Sequence, residues 1–213
     1  MSDLPIIKYA SKGTDLHLRV ATGHFAAGNR HSNYFIDIAW PRARLSEAKA
    51  IAQNICAHYY ADTVVDTILC LDGTEVIGAC LAEALSKGDF INMNAHKTIY
   101  VVTPEILNGN QMILRDNIKP MVAGKNVMIL SAIISSGKLT ETAVQMVQYY
   151  GGTVSGVSAY FSAIKTCAEI PVKSVFSPED LPGYQNFSAH ECPMCKKKIK
   201  LEALVNHFGY SKL

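Results

Sequence analysis

The chain has 213 residues, enough for one α/β domain with a sizeable core and small additions. Hydrophobic residues make up 49% and charged residues 18%, a balance that excludes an intrinsically disordered chain. A formal net charge of +2 gives no reason to expect a nucleic-acid partner, and no run of eighteen apolar residues suggests a membrane span. The N-terminus lacks a basic stretch followed by an apolar one, so a cytoplasmic protein is expected. In that reducing setting Cys56, Cys70, Cys80 and Cys167, all in apolar surroundings, read as buried thiols.

A short helix is predicted over 14–25, where Asp15-Leu16-His17-Leu18-Arg19-Val20 places apolar residues at helical spacing behind Thr14 as N-cap. The polar turn Gly28-Asn29-Arg30-His31-Ser32-Asn33 leads into a strand over Tyr34-Phe35-Ile36-Asp37-Ile38. Leu45 to Tyr60 reads as a helix with Ala48, Ile51, Ala52, Ile55 and Tyr59 on one face. An apolar strand, Thr67 to Leu71, then meets a tight turn, Asp72-Gly73-Thr74-Glu75, and a helix from Val76 to Leu85 ending near Gly88. Lys97 to Val102 is a further β-rich run. A strand over Asn126–Leu130 is followed by a Ser/Gly turn at 135–137 and a helix from Thr140 to Tyr150, stopped by Gly151-Gly152. Val154 to Phe161 is the last strand of this series.

Strands that are continuously apolar and alternate with helices indicate an α/β fold: a doubly wound, mostly parallel sheet with helices on both faces. The expected division is an α/β domain over 1–166 and a C-terminal extension over 167–213. Pro171, Pro178 and Pro182 interrupt that extension, and a short helix from Leu201 to Phe208 closes it. In such sheets ligands bind beyond the carboxyl ends of the strands, which singles out the turns at 72–75 and 131–137.

The second turn carries the chemistry. Ser135-Ser136-Gly137-Lys138 opens a helix, so free backbone N–H groups and the positive end of the helix face outward. Ser135 and Ser136 add hydroxyls, Gly137 permits close approach and Lys138 adds charge: a phosphate cradle. The plain alternative is a serine-capped strand-to-helix turn. Asp72 and Glu75 of the first turn are oxygen ligands of the kind Mg²⁺ takes, or Glu75 is simply a favourable acid at a helix N-terminus.

The run from Val127 to Lys138 resembles the phosphoribosyl-diphosphate signature of type I phosphoribosyltransferases. In that family an apolar strand leads to two acidic residues, two small apolar residues, then Thr-Thr-Gly. Ser135-Ser136-Gly137 matches the last part, while Ser131 and Ala132 stand in place of the acidic pair. Gly28-Asn29-Arg30-His31-Ser32-Asn33-Tyr34-Phe35-Ile36-Asp37 is similar to the N-terminal segment of orotate phosphoribosyltransferases, and Leu69 to Gly78 corresponds to the family's pyrophosphate-binding loop. The resemblance spans roughly residues 14–160. It implies transfer of a phosphoribosyl group from phosphoribosyl diphosphate to a nucleobase such as orotate, with Mg²⁺, in a homodimer. It assigns Ser135, Ser136, Gly137 and Lys138 to the 5-phosphate, Asp72, Gly73, Thr74 and Glu75 to pyrophosphate, and Arg30, Ser32 and Tyr34 to the base. Lys97 and Ser131 are left as catalytic candidates.

Two departures matter. Without the acidic pair, which favours the charge that builds on the ribose, a loss of about 2–4 kcal/mol in transition-state stabilisation is expected. The family's basic loop between the second and third strands is not recognisable either, since Thr103 to Lys119 holds only Arg115 and Lys119, with His96 beside Lys97 just before it. The alternative function is therefore a non-catalytic protein that binds a nucleotide or phosphoribosyl ligand. In the tail, Cys192-Pro193-Met194-Cys195 is a Cys-x-x-Cys turn. His190, Cys192, Cys195 and His207 together offer four ligands for a structural Zn²⁺. A strong zinc signature has two paired half-sites and this chain has one, so two reduced surface thiols are the preferred reading over zinc.

Overall fold

The computed structural model describes residues 4–10, 16–87, 92–95, 97–107 and 111–213. Thr14, Asp15, Gly88 and His96, named above, lie outside the described residues. The strands are β1 (Ile7–Ala10), β2 (His17–Ala27), β3 (Arg30–Ile36), β4 (Thr67–Cys70), β5 (Tyr100–Val102), β6 (Glu105–Ile106), β7 (Met112–Ile113), β8 (Asn126–Ile134), β9 (Thr153–Ser162), β10 (Thr166–Cys167), β11 (Ile170–Phe176), β12 (Asn186–Ser188), β13 (Ala203–Asn206) and β14 (Gly209–Lys212). The helices are α1 (Ala39–Ala43), α2 (Leu45–Cys56), α3 (Glu75–Ser86), α4 (Lys138–Tyr149) and α5 (Pro193–Lys196). The chain forms two compact units. One is Pro41–Val175; the other joins Met1–Trp40 to Phe176–Leu213.

Within Pro41–Val175 the sheet order is β10-β11-β9-β8-β4-β5. β5, β4, β8 and β9 run parallel, with Thr67 beside both Tyr100 and Val127. Ile68, Leu69 and Cys70 are fully buried, as a strand covered on both faces requires. Alternation along the strands divides the core. Leu69, Val127, Ile129, Val157 and Ala159 pack with Ala143, Val144, Met146 and Val147 of α4. The opposite face receives α3, where Gly78 lies so close to Cys70 that an added Cβ would collide with its sulfur. α2 packs beside α3 through Ala48, Ile51, Ala52 and Ile55. Burying each large apolar side chain here contributes about 1.5–3 kcal/mol. The doubly wound, mostly parallel architecture read from the sequence is thus the observed one.

The other unit is a sheet of order β12-β3-β2-β13-β14, with β1 also paired to β2. Leu4, Ala21, Phe25, Phe35 and Ala203 form one apolar cluster in it. Two expected helices are strands here. Residues 17–27 form β2, because Leu18 and Val20 alternate with His17 and Arg19 and send both apolar side chains to the buried face. The closing segment 201–208 is part of the β13–β14 hairpin, in which Ala203 pairs with both Phe25 and Lys212 and is fully buried. The division at residue 166 also moves. β10 and β11 continue the Pro41–Val175 sheet, and the N-terminal strands group with the C-terminal segment.

Candidate functional site

The turn after β4 is built from two successive left-handed residues, Asp72 at φ 56° and Gly73 at φ 78°. Aspartate is among the few side chains that tolerate this conformation. The turn aims the Asp72 carboxylate at β8, where the Ser131 hydroxyl donates to it at 2.7 Å. Leu71 N–H donates to Leu130 O at 2.8 Å, which holds the two strand ends level. Thr74 is fully buried, and its hydroxyl, 2.9 Å from Leu71 O and 3.1 Å from Leu130 O, ties the turn to the sheet. That hydroxyl serves the scaffold, so of the four residues expected at the pyrophosphate it is Asp72, Gly73 and exposed Glu75 that the turn presents. Glu75 accepts a hydrogen bond from the Thr103 hydroxyl at 3.1 Å. Burial pushes the thiol of nearby Cys70 up to about 12, which keeps it protonated and unreactive.

β8 runs to Ile134, four residues beyond the expected end, so Ser131 and Ala132 are buried strand residues. The turn proper is Ser135-Ser136-Gly137. Gly137 has φ 83°, and an added Cβ would meet Ile164 Cδ1 at 2.7 Å. Its carbonyl accepts the first backbone bond of α4, from Glu141 N–H at 2.8 Å. The amides between lack an acceptor within the helix. Ser135 is half-buried; Ser136 and Lys138 are exposed. Among the described residues none bonds to the side chains of these three. Free amides, two hydroxyls and an ammonium group therefore follow directly on β8 at its carboxyl end, and the Asp72–Ser131 bond links β8 to the turn after β4.

The remaining predicted residues belong to other elements. Lys97 precedes β5 at the amino edge of the parallel sheet, and its charge acts on Asp66, the residue before β4. The turns at 72–75 and 135–138 are at the opposite, carboxyl edge, so Lys97 does not join them. In the stretch 103–119 both basic residues are paired: Arg115 forks onto Glu105 at 2.6 and 2.8 Å, and Lys119 meets Asp116 at 2.6 Å. Arg30, Ser32 and Tyr34 lie on β3, in the other unit. Arg30 donates to Asn186 Oδ1 at 2.6 Å, Ser32 Oγ accepts from Tyr34 N–H at 3.1 Å, and Tyr34 donates to Pro182 O at 2.8 Å. Their polar atoms fasten β3 to the segment 182–188.

The Cys-x-x-Cys turn has unexpected company. The ligand atoms of His24, His31, Cys192 and Cys195 all lie within 4.8 Å of one another. His190 and His207, the partners expected for the cysteines, are merely near them in the chain. His24 and His31 are 168 and 161 positions before Cys192 and are brought to it by the β2–β3 hairpin; no spacing in the sequence signals this. Cys192 is fully buried, against the expectation of a surface thiol.

Two helix-covered faces, four parallel strands and turns at their carboxyl ends define the fold of the type I phosphoribosyltransferases. Solved structures share it. The orotate phosphoribosyltransferase of Mycobacterium tuberculosis, in complex with Fe(III) dicitrate, aligns with 78% of this chain and 93% of its own at 19% identity and a TM-score of 0.55. The adenine phosphoribosyltransferase of Trypanosoma brucei, solved with AMP, pyrophosphate and ribose-5-phosphate, aligns with 76% of this chain and 78% of its own at 13% identity and a TM-score of 0.53. UMP synthase of Leishmania donovani aligns over 76% of this chain and 34% of its own at 14% identity and a TM-score of 0.54. These identities make the likeness one of fold. No family model matches the sequence, and no curated relative does either. Among the described residues no helix is long and apolar enough to cross a membrane.

Proposed function

We propose that this chain binds a phosphorylated ribose, as phosphoribosyl diphosphate or a nucleoside monophosphate, with the 5-phosphate in the turn Ser135 to Lys138. The observation that carries the reading is the set of unpartnered donors at that turn, at the carboxyl end of a buried parallel strand. An anion there gains charge-assisted bonds from the amides, the hydroxyls and Lys138. The neighbouring M. tuberculosis orotate enzyme has also been solved with inorganic phosphate, and the T. brucei enzyme with ribose-5-phosphate, on the same fold.

Binding is favoured over efficient transfer. Ala132 offers no polar group, Ser131 no charge, and Arg115 and Lys119 are already engaged with carboxylates. A carboxylate that would face the developing positive charge on ribose is reduced to Asp72, held through Ser131. That one contact favours a second reading, slow transfer to a base such as orotate. A diphosphate ligand would bring Mg²⁺, which binds through one or two carboxylates plus phosphate oxygens, and Asp72 suits that donor set. The metal would neutralise the diphosphate; Ser131 would orient the Asp72 carboxylate.

Calorimetric titration with phosphoribosyl diphosphate, ribose 5-phosphate and nucleoside monophosphates, paired with an assay for pyrophosphate release across a panel of bases, separates the readings. Binding without release supports the first and release supports the second. No binding of any phosphorylated ribose contradicts both.

A further inference from the structure

We propose that His24, His31, Cys192 and Cys195 form a structural zinc site that ties the two ends of the chain together. The inference is independent of the phosphate-binding reading.

The geometry is that of a closed tetrahedron. With Zn–S near 2.3 Å and Zn–N near 2.0–2.1 Å, tetrahedral ligands stand about 3.4 Å apart for nitrogen pairs and about 3.6 Å for nitrogen and sulfur. Here His24 Nε2 is 3.1 Å from His31 Nδ1, 3.5 Å from Cys192 Sγ and 3.7 Å from Cys195 Sγ, and His31 Nδ1 is 3.2 Å from Cys195 Sγ. One atom from each of the four residues thus converges on a common point.

The tautomer of His24 is fixed for the task. Its Nδ1 lies 2.9 Å from Ile199 O, and a carbonyl only accepts, so Nδ1 carries the hydrogen and Nε2 turns a lone pair to the cluster. Two thiolates and two imidazoles form a nitrogen–sulfur set that suits zinc and disfavours magnesium or calcium. Four protein ligands leave no open position, which marks a structural rather than a catalytic ion. Cys195 is exposed and offers the way in.

The fold gives the ion work to do. The unit is assembled from two distant segments of the chain, Met1–Trp40 and Phe176–Leu213. An ion held from both segments would join them, since metal binding contributes directly to folding. The ligands come two from each segment. The β2 register shifts between Thr22 and Phe25, a bulge that carries His24, and Ala26 pairs with His31. Glu202 N–H then donates to His24 O at 2.8 Å, seating the C-terminal segment against the same residue.

The test uses the full chain, purified without a histidine tag under reducing conditions and reconstituted with zinc or cobalt. We expect one zinc per chain by elemental mass spectrometry. The cobalt form should show the ligand-field bands of a tetrahedral ion and thiolate-to-cobalt charge transfer. His190→Ala and His207→Ala should keep the metal and both spectra, and His24→Ala should lose it. Cys195→Ser should reduce the charge-transfer band to that of a single thiolate. A wild-type chain that takes up neither ion, an octahedral cobalt spectrum, loss of metal in the His190 or His207 variant, or a Cys192–Cys195 disulfide persisting under reduction would overturn the proposal.

Discussion

Gly137 shows how a single residue sets the site. Its φ of 83° favours glycine, and any added Cβ would push on Ile164 Cδ1 at 2.7 Å. Gly137→Ala should destabilise the protein by about 1–2 kcal/mol from the left-handed backbone, before steric cost is added, as a lowered urea midpoint would record. Ser131 makes the complementary case. It is 1% exposed, and its hydroxyl directs the Asp72 carboxylate at 2.7 Å. Ser131→Ala should cost about 1–3 kcal/mol in unfolding free energy, because a half-buried carboxylate loses a donor, and Ser131→Thr should restore part of it.

At the scale of elements, contacts between strands and the helices on either face hold the α/β unit. Tyr59 follows α2, donates to Val157 O at 3.1 Å and accepts from Ser158 Oγ at 2.9 Å, its ring set against Gly156. Tyr59→Phe removes both bonds inside the core and should cost about 1–3 kcal/mol by chemical denaturation. Asp66 locks the amino ends of β4 and β8 by accepting from Asn126 N–H at 2.9 Å and Asn126 Nδ2 at 2.8 Å. Burial alone would raise its carboxyl, but these bonds and the charges of Lys97 and Lys125 outweigh that and hold it below the usual range. A carboxylate depressed by folding stabilises fully above its unfolded value, about pH 4, and loses the contribution as pH falls through its folded value. The stability gap between wild type and Asp66→Asn should therefore be widest near neutrality and close below about pH 4. Legibility followed the same physics. β4 and β8 read plainly as apolar runs because both faces are covered. β2 misled because Leu16 and Val20 fit a helix while Leu16, Leu18 and Val20 fit a strand, and only pairing with β3 decides. The 201–208 segment misled likewise, since β13 and β14 depend on β2 for their register.

For the molecule as a whole, the fold class and the two candidate turns could be read from the sequence because each turn is continuous in the chain. The Asp72–Ser131 bond could not, since it joins residues fifty-nine apart through a left-handed aspartate. Nor could the grouping of His24 and His31 with Cys192 and Cys195, which depends on both chain ends meeting in one sheet. The donors at Ser135 to Lys138 are the proposed seat of the phosphate. Titrating wild type, Ser136→Ala and Lys138→Ala with phosphoribosyl diphosphate at fixed salt tests this most directly. Each lost bond to a charged phosphate is worth about 1.5–3 kcal/mol, so affinity should fall roughly 10- to 150-fold per variant with unfolding midpoints unchanged. Wild type that binds no phosphorylated ribose, or variants that bind as tightly as wild type, would contradict it.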